Sequence, residues 1–444
     1  MHMFPQLRKL EEKYNKELVV IGVHSAKFIS EKETQSIRKA ILRHHIQHPV
    51  INDKDFLVWQ AYTIRAWPTL VIIDPVGKVL DVHAGELHFE ALDKIIAGIL
   101  AEYDSEGQMA RREMAFKGEA EPALPLSFPG KVLAVESTGQ LFVADSSHNR
   151  IVVADLGGRL QYVIGSGNAG LKDGSFRDAQ FNHPQGLAWD EDVLLVADTG
   201  NHTIRMIDFA NNMVETIAGT GAQALEYHEG GFCRDVALNS PWDMAIWQDV
   251  LYIAMAGFHQ LWAFDLASGL IQPHAGTGQE GIQDGALDDS RLAQPSGITA
   301  HEGRLYFADS ETSSIRIADT DPSGMVTTMV GKDLFAFGDR DGIGQEVLLQ
   351  HPIGLTYYDG KLYVADTYNN KLKVIDPTAG SSTTLIGSGA MGQENGPFST
   401  ATFYEPSGIS GARGKLYIAD TNNHAIRVAD LFTMQVETLK LRGL

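Results

Sequence analysis

The chain has 444 residues, of which 44% are hydrophobic and 21% charged, an ordinary balance for a globular protein long enough for two or more domains. No apolar run approaches the roughly 20 residues that span a bilayer, and the first residues lack the pattern of a secretory signal. We therefore expect no membrane association and a cytoplasmic location, with an upstream signal left open. The one cysteine, Cys233, excludes an internal disulfide and a multi-cysteine metal site.

The net charge of −20 is unevenly distributed along the chain. Residues 1–122 contain 16 Lys and Arg against 18 Asp and Glu, whereas residues 123–444 contain 20 against 38. Negative potential repels phosphate backbones, so generic nucleic-acid binding is not expected of the larger part. A solvated acidic surface that aids solubility is the simplest interpretation.

Residues 1–101 predict alternating helices and strands. The predicted order is a first helix that contains Phe4, Leu7, Leu10 and Tyr14, a strand at Leu18–Val23, a helix at Glu31–His44, a strand at Pro49–Ile51, a helix that ends near Tyr62, a hairpin of Thr69–Asp74 and Val79–Ala84, and a last helix at Leu87–Leu100. Ser30 and Glu33 have the spacing of a capping box, and Asn52 is placed to cap the third helix. Residues 102–124 predict a linker, with one helical turn around Met109–Phe116.

One 15-residue segment recurs six times, beginning at Leu141, Leu194, Leu251, Leu305, Leu362 and Leu416. Each copy has two short alternating strands around a turn, which predicts a β-hairpin. A proline-led strand precedes each hairpin and a fourth strand follows it. Four strands in repeats of 53 to 57 residues predict the blades of a β-propeller.

The repeated Pro-x-Gly-Leu/Ile, Leu-Tyr-Val/Ile-Ala-Asp-Thr and Asn-His-x-Ile-Arg segments resemble NHL repeats over about 320 residues. This resemblance implies a mostly β chain with a six-bladed NHL-type propeller at residues 125–444. The third blade departs from the pattern, because Met255 stands where the other five blades have Asp145, Asp198, Asp309, Asp366 and Asp420. Those carboxylates are predicted to accept hydrogen bonds from backbone N–H groups of turns.

Gly-rich loops between the blades fall at one point of the repeat, so we expect them on one face of the disc. An unknown protein, peptide or small molecule is predicted to bind there. His183 and His351 precede blade-opening prolines, and Ser240, Gln294 and Glu405 occupy the equivalent positions; with Trp242 and Tyr404 they are expected at the mouth of a central channel.

A propeller hydrolase or lyase would hold a metal in that mouth through several His, Asp or Glu side chains. Only two of the six equivalent positions are His, so no catalytic, cofactor-binding or metal-binding residue is predicted. Plain packing of the mouth residues is the remaining alternative. His44, His45 and His48 lie at a predicted helix end, where histidines cap carbonyls more often than they bind metal.

The segment Tyr62-Thr63-Ile64-Arg65-Ala66-Trp67-Pro68-Thr69-Leu70 resembles the thioredoxin-like fold, here without its first strand. The resemblance implies a cis peptide bond before Pro68 and a groove beside Trp67, Pro68 and Thr69. The Cys-x-x-Cys of that family opens the first helix, which in this sequence begins at or before Met1. The missing strand lies inside the sheet, so its neighbours would be left with unpaired backbone groups. We therefore expect a truncated domain at residues 1–101, with the motif upstream of Met1 or absent.

The combination resembles the family of thioredoxin-like plus NHL-repeat proteins. As this chain stands, a ligand- or protein-binding module without redox cysteines is the expected function. The alternatives are a thiol-disulfide oxidoreductase whose Cys-x-x-Cys precedes Met1, and a propeller hydrolase or lyase.

Overall fold

A computed structural model describes residues 3–109, 111–112, 116, 118–119 and 123–444. The chain forms two compact units, Met1–Ala123 and Leu124–Leu444. Across the described residues, no helix is both long and apolar enough to cross a membrane.

The N-terminal unit alternates helices with short strands. Its elements are α1 (Met3–Lys13), β1 (Gly22–His24), a 3-10 turn (Ser30–Lys32), α2 (Thr34–Arg43), β2 (Val50–Asn52), α3 (Leu57–Ala61), β3 (Thr69–Ile73), β4 (Val79–Ala84) and α4 (Phe89–Ser105). Strands β1 and β2 pair in parallel, and β3 and β4 pair antiparallel. In the described part of the unit these pairs remain two separate sheets. The small core lies between α1 and α4, around Leu10, Tyr14 and Leu92.

The start of the first strand and the cap of the second helix differ from the sequence predictions. Strand β1 begins at Gly22 rather than Leu18, because only residues 22–24 find a partner strand. The expected capping box is wrong: Ser30 belongs to the 3-10 turn, and α2 begins at Thr34 without a side-chain cap.

The cap of α3 and the end of α4 also differ. Asp53, not Asn52, caps α3, because its carboxylate accepts the N–H groups of Val58 and Trp59 at 3.0 and 2.9 Å. Helix α4 continues to Ser105, into the predicted linker, and the Tyr103 hydroxyl donates to Asp74 at 2.6 Å. The helical turn expected around Met109–Phe116 falls mainly outside the described residues.

The second unit is a six-bladed β-propeller, as predicted. Blade 1 contains β5 (Lys131–Val135), β6 (Gln140–Asp145), β7 (Arg150–Asp155) and β8 (Leu160–Ile164); blade 2 contains β9 (Gly174–Ser175), β10 (Pro184–Asp190), β11 (Val193–Asp198), β12 (Thr203–Asp208) and β13 (Met213–Ala218); blade 3 contains β14 (Gly231–Phe232), β15 (Pro241–Trp247), β16 (Val250–Met255), β17 (Gln260–Asp265) and β18 (Leu270–Ala275). Blade 4 contains β19 (Gly285–Ala286), β20 (Pro295–His301), β21 (Arg304–Asp309), β22 (Ser314–Asp319) and β23 (Met325–Val330); blade 5 contains β24 (Gly342–Ile343), β25 (Gly354–Tyr358), β26 (Lys361–Asp366), β27 (Lys371–Asp376) and β28 (Ser381–Ile386); blade 6 contains β29 (Gly396–Pro397), β30 (Pro406–Ala412), β31 (Lys415–Asp420), β32 (Ala425–Asp430) and β33 (Gln435–Thr438).

Blades 2 to 6 have five strands instead of the predicted four. The additional strand, such as β9, comes from the loop before the blade and pairs antiparallel with the outermost long strand, so that it covers part of that edge. In blade 1 the C-terminal tail lies at the corresponding edge. Leu160 N–H donates to the Arg442 carbonyl at 3.1 Å, and Arg442 N–H donates to the Gly158 carbonyl at 2.8 Å.

Each inner strand begins beside the end of the next strand, as Pro184 does beside Asp198. The blade-connecting loops, the starts of the inner strands and the hairpin turns therefore lie at the same end of every blade. We call this end the loop face; its loops are residues 165–183, 219–240, 276–294, 331–351 and 387–405.

Candidate functional site

A repeated hydrogen bond joins each blade to the next on the loop face. Each hairpin turn ends in a left-handed residue, and the side chain of that residue accepts the N–H of the left-handed residue that opens the following blade. The six pairs, donor first, are His183 to Asn149, Ser240 to His202, Gln294 to His259, His351 to Ser313, Glu405 to Asn370 and Phe128 to His424, at 2.9 to 3.2 Å.

Five of the predicted mouth residues therefore join neighbouring blades through their backbone N–H groups: His183, Ser240, Gln294, His351 and Glu405. Glu405 is also buried. Trp242 is outside this set, and a ligand role for its side chain stays a prediction. His351 also stacks on Tyr368 at 4.5 Å and lies 3.5 Å from the Glu311 carboxylate. A ligand role for the side chains of His183, Gln294, His351 and Glu405 stays a prediction.

The prediction for the repeated aspartates is confirmed. All five carboxylates are buried, and each accepts a backbone N–H from the loop that precedes its blade's inner strand; the donors are Ser127, Asn182, Ala293, Gln350 and Tyr404, at 2.6 to 2.8 Å. Burial raises the pKa of Asp198 and of Asp420 to about 6 and that of Asp366 to about 7.

In blades 2, 4, 5 and 6 a buried cation fixes the preceding loop to the blade. Arg205 donates to Asp198 and, across the loop, to Asp173, each at 2.9 Å. The hydroxyl of Thr216 donates to the same Asp173 oxygen at 2.8 Å. Arg316 and Arg427 repeat this arrangement in blades 4 and 6, and Lys373 reaches Asp339 and Asp341 in blade 5. These loops are consequently held in place before any ligand arrives.

Blade 3 replaces the ion-pair anchor with apolar side chains. Met255 and Trp262 stand at the Asp and Arg positions, and both are fully buried. Phe258 stacks on Trp262 at 5.8 Å, while Tyr227 and His228 of loop 219–240 pack on this pair at 5.2 Å. The loop before blade 3 is thus held by an aromatic cluster, with the Tyr227 hydroxyl donating to the Gly278 carbonyl of the next loop at 2.5 Å.

An ion pair that the sequence analysis missed lies between inner strands of the propeller. The Lys131 ammonium contacts the buried carboxylate of Asp243, joining blade 1 to blade 3. Burial raises the pKa of Asp243, although Lys131 opposes this effect. Beside the pair lies a cavity of about 10 Å³, with Trp242 and Gln185 in its wall, which is room for about one water molecule.

A sequence signal for this pair existed. Lys131 and Asp243 occupy the glycine position of the Pro-x-Gly segment, where the other blades have Gly186, Gly297, Gly354 and Gly408. At Gly354, a Cβ atom would lie 1.9 Å from the Ser407 carbonyl oxygen, so the inner strands pack too closely for any side chain there. Blades 1 and 3, which lack glycine at this position, have side chains of opposite charge there, Lys131 and Asp243.

The loop tips expose large apolar side chains. Leu171, Leu225, Tyr227, Phe335 and Met391 have exposed fractions of 42, 54, 55, 68 and 43%. Four of the five loops contribute at least one of them. The sequence analysis predicted this face but did not single out these residues.

In the N-terminal unit, Trp67, Pro68 and Thr69 lie at the start of β3. The Trp67–Pro68 peptide bond is cis, the isomer that the resemblance implied. The Trp67 indole donates to the Ser25 carbonyl at 2.8 Å and packs on Trp59 at 4.5 Å, and it remains 49% exposed. The Thr69 hydroxyl is turned back to the Ala66 carbonyl at 2.7 Å. A groove function for these residues remains a proposal.

Two of the three histidines near α2 share Arg8 through their main-chain carbonyls, and the third lies beside a glutamate. Arg8 donates to the carbonyls of His44 and His45 at 3.0 and 3.1 Å, and the His48 ring lies 3.3 Å from Glu11. Throughout the described ranges, no group of three or more His, Cys, Asp or Glu residues is placed to hold a metal ion.

The fold defines a protein in which a thioredoxin-like domain precedes an NHL-repeat propeller. A thioredoxin-like family model matches residues 1–79. The chain is 42% identical over 467 residues to Protein SUPPRESSOR OF QUENCHING 1, chloroplastic, of Arabidopsis thaliana, with 100% of this chain and 44% of the relative covered. It is 40% identical over 479 residues to human NHL repeat-containing protein 2, with 99% and 66% covered.

A shorter similarity concerns the first domain alone: 26% identity over 98 residues to the thiol-disulfide oxidoreductase YkuV of Bacillus subtilis, covering 22% of this chain and 66% of that protein. The chain belongs to the family of thioredoxin-like plus NHL-repeat proteins. It spans 44 to 66% of the length of these relatives.

Proposed function

We propose that the chain is a protein-binding module whose propeller contacts its partner through the loop face. The exposed apolar tips of the anchored loops carry this proposal. Large apolar side chains that gather on one face of a folded protein commonly mark a site of association, and loops that are already fixed lose little conformational entropy when they bind. The cavity beside the Lys131–Asp243 pair has room for about one water molecule, which favours a protein surface over a small molecule enclosed at that place in the ring.

The test compares two sets of serine substitutions in the full chain. One variant replaces the loop tips Leu171, Leu225, Phe335 and Met391 with Ser; the control replaces Met325 and Phe432, which are 50 and 94% exposed outside the five loops. Partners are crosslinked in the source cells and quantified by mass spectrometry. We expect proteins that the wild type and the control retain and that the loop-tip variant loses. An unchanged set of proteins with the loop-tip variant would refute the proposal.

Thiol-disulfide exchange is a second candidate, and the divided sheet of the N-terminal unit favours it. Val23 and Ile51 on one sheet and Ile73 and Val82 on the other are exposed. A strand between β1 and β3 would pair with both sheets and cover apolar surface. In this proposal the strand and a following Cys-x-x-Cys precede Met1 in a longer form of the protein. The similarity to a relative named as a thiol-disulfide oxidoreductase supports it.

A disulfide-reduction assay tests this second candidate. The upstream-extended protein is expected to reduce a disulfide substrate, while the 444-residue chain is expected to be inactive. Inactivity of both forms contradicts the proposal.

A cytoplasmic location likewise stays a prediction, which imaging of the tagged full-length protein would check.

A further inference from the structure

We infer that loop 219–240, in front of blade 3, is the main docking site and that it binds a basic protein segment carrying apolar side chains. This inference rests on the proposed protein-binding function and names the chemistry of the partner. It is based on three observations: the departure of blade 3 from the repeat, the exposed side chains of its loop, and the charge around them.

The departure of blade 3 is concerted. In blades 2, 4, 5 and 6 the anchor combines an aspartate, a polar residue and an arginine or lysine. Blade 3 has Met255 at the aspartate position, Phe258 at the polar position and Trp262 at the position of the cation. The three side chains pack together and are buried. Loop 219–240, with 22 residues, is the longest of the five, against 21 in loop 331–351 and 19 in each of the other three. In repeat proteins, such local departures on one face commonly mark the binding site.

The aromatic cluster also determines which side chains the loop exposes. Tyr227 packs its ring on Phe258, and its hydroxyl contacts the neighbouring loop at Gly278. His228 turns inward to Trp262, and its Nε2 lies 2.8 Å from the Ala237 carbonyl. Leu225 is left 54% exposed beside Tyr227, which is itself 55% exposed. Aromatic and aliphatic side chains held in this way are typical anchors of protein interfaces.

The surroundings of these two apolar residues are acidic. Glu226 and Glu229 are exposed in the same loop, and Glu280 is exposed in the loop that Tyr227 contacts. Loop 219–240 as a whole has three acidic residues against a single arginine, the exposed Arg234. The propeller region as a whole has 38 acidic and 20 basic residues, so its long-range field has the same sign as this patch. Lys and Arg in a partner would be attracted to the patch, whereas acidic segments would be repelled.

The experiment measures fluorescence anisotropy of labelled 15-residue peptides with the full chain. One set alternates Lys or Arg with Leu or Phe, and the matched set has Glu in place of every basic residue. We expect the basic set to bind at least tenfold more tightly at low salt, with affinity falling as salt rises. Equal affinities, preference for the acidic set or lack of binding by every peptide would overturn the inference.

Substitutions then locate the site. Glu226→Lys with Glu229→Lys is expected to weaken binding of the basic peptides about tenfold, and Leu225→Ser about fivefold. The matched control is Glu191→Lys with Glu302→Lys, two exposed residues in the β10–β11 and β20–β21 turns, at the opposite end of blades 2 and 4. Equal effects at both places would show nonspecific attraction and refute the assignment. If the peptides show no preference while the loop-tip variant still loses its partners, this inference fails and the proposed function stands.

Discussion

At the scale of single residues, the buried carboxylates of the propeller differ in how closely a cation approaches them. Asp198 and Asp420 each face a buried arginine at 2.9 Å. Asp366 instead has Lys373, whose ammonium contacts Asp339 and Asp341 at 2.6 and 2.8 Å. The pKa of Asp366 is accordingly the highest of the three, at about 7.

This difference predicts a pH dependence of stability. The folded pKa of Asp366 lies above its ordinary value of 3.8, so the folded state binds the proton more tightly than the unfolded state. The resulting stabilisation is present below about pH 4 and is lost as the pH rises through about 7. We expect Asp366→Asn to flatten this part of the stability profile, measured by calorimetry between pH 5 and 8. Asp376→Asn serves as the control, since the pKa of Asp376 is lowered to about 2; a profile that Asp366→Asn leaves unchanged would contradict the prediction.

The Lys131–Asp243 pair makes a second prediction at this scale. Lys131→Met leaves the carboxylate of Asp243 buried without its cation, which should cost about 3–5 kcal/mol of unfolding free energy. Adding Asp243→Asn removes the buried charge and should restore part of the loss. Thermal unfolding of both variants checks this expectation. A single variant as stable as the wild type would show that the pair is not coupled as the geometry indicates.

At the scale of elements, the loops depend on the cations that anchor them. Arg205→Met removes the bonds to both Asp198 and Asp173, together with donors to the carbonyls of Lys172 and Gln180. We expect loop 165–183 to open and to be cleaved faster by trypsin or thermolysin than in the wild type, as mapped by mass spectrometry. Loop 219–240 has an aromatic anchor and should keep its cleavage rate. Equal acceleration in both loops would indicate general destabilisation instead.

The long strands of the propeller could be predicted from the sequence, because the same local pattern occurs in all six repeats. The fourth strand that was predicted after each hairpin is present, for example at Met213–Ala218 in blade 2. Two-residue strands such as Gly174–Ser175 were missed, since their pairing depends on a distant strand edge rather than on local alternation. The Lys131–Asp243 pair was missed as well, because its members lie 112 residues apart and the shared departure from glycine was not connected with their charges.

In the N-terminal unit, the cis peptide at Pro68 followed from a family resemblance, whereas the caps did not follow from spacing. Asp53 rather than Asn52 caps α3, because β2 runs through Asn52 and leaves Asp53 at the start of the turn. The exposed residues Leu225 and Tyr227 were not predicted, because their loop is one residue longer than loop 331–351 and its length does not single it out. Their exposure depends on Phe258 and Trp262, which occupy the third blade's hairpin.

At the scale of the whole molecule, the two ends of the propeller meet in blade 1. Leu439, Leu441 and Leu444 pack with Leu126, Val132 and other side chains of blades 1 and 6. Removal of residues 439–444 should therefore lower the melting temperature of the propeller and raise hydrogen exchange in β8, because β8 loses the backbone contacts at its outer edge. Arg442→Ala keeps those backbone bonds and is the matched control. Unchanged exchange in β8 after the truncation would show that the tail does not protect this edge.

The Lys131–Asp243 ion pair has a consequence for the number of blades. A ring of equivalent repeats has no intrinsic means of distinguishing one neighbour from another, so related arrangements with one blade more or fewer would reuse the same contacts. Lys131 and Asp243 meet across blade 2, and this contact fits the diameter of a six-membered ring. Insertion of an extra blade between them would move the two charges apart and remove this contact. We therefore expect a duplication between the first and third repeats to destabilise the propeller, whereas a duplication elsewhere in the ring would leave the Lys131–Asp243 contact between the same two blades.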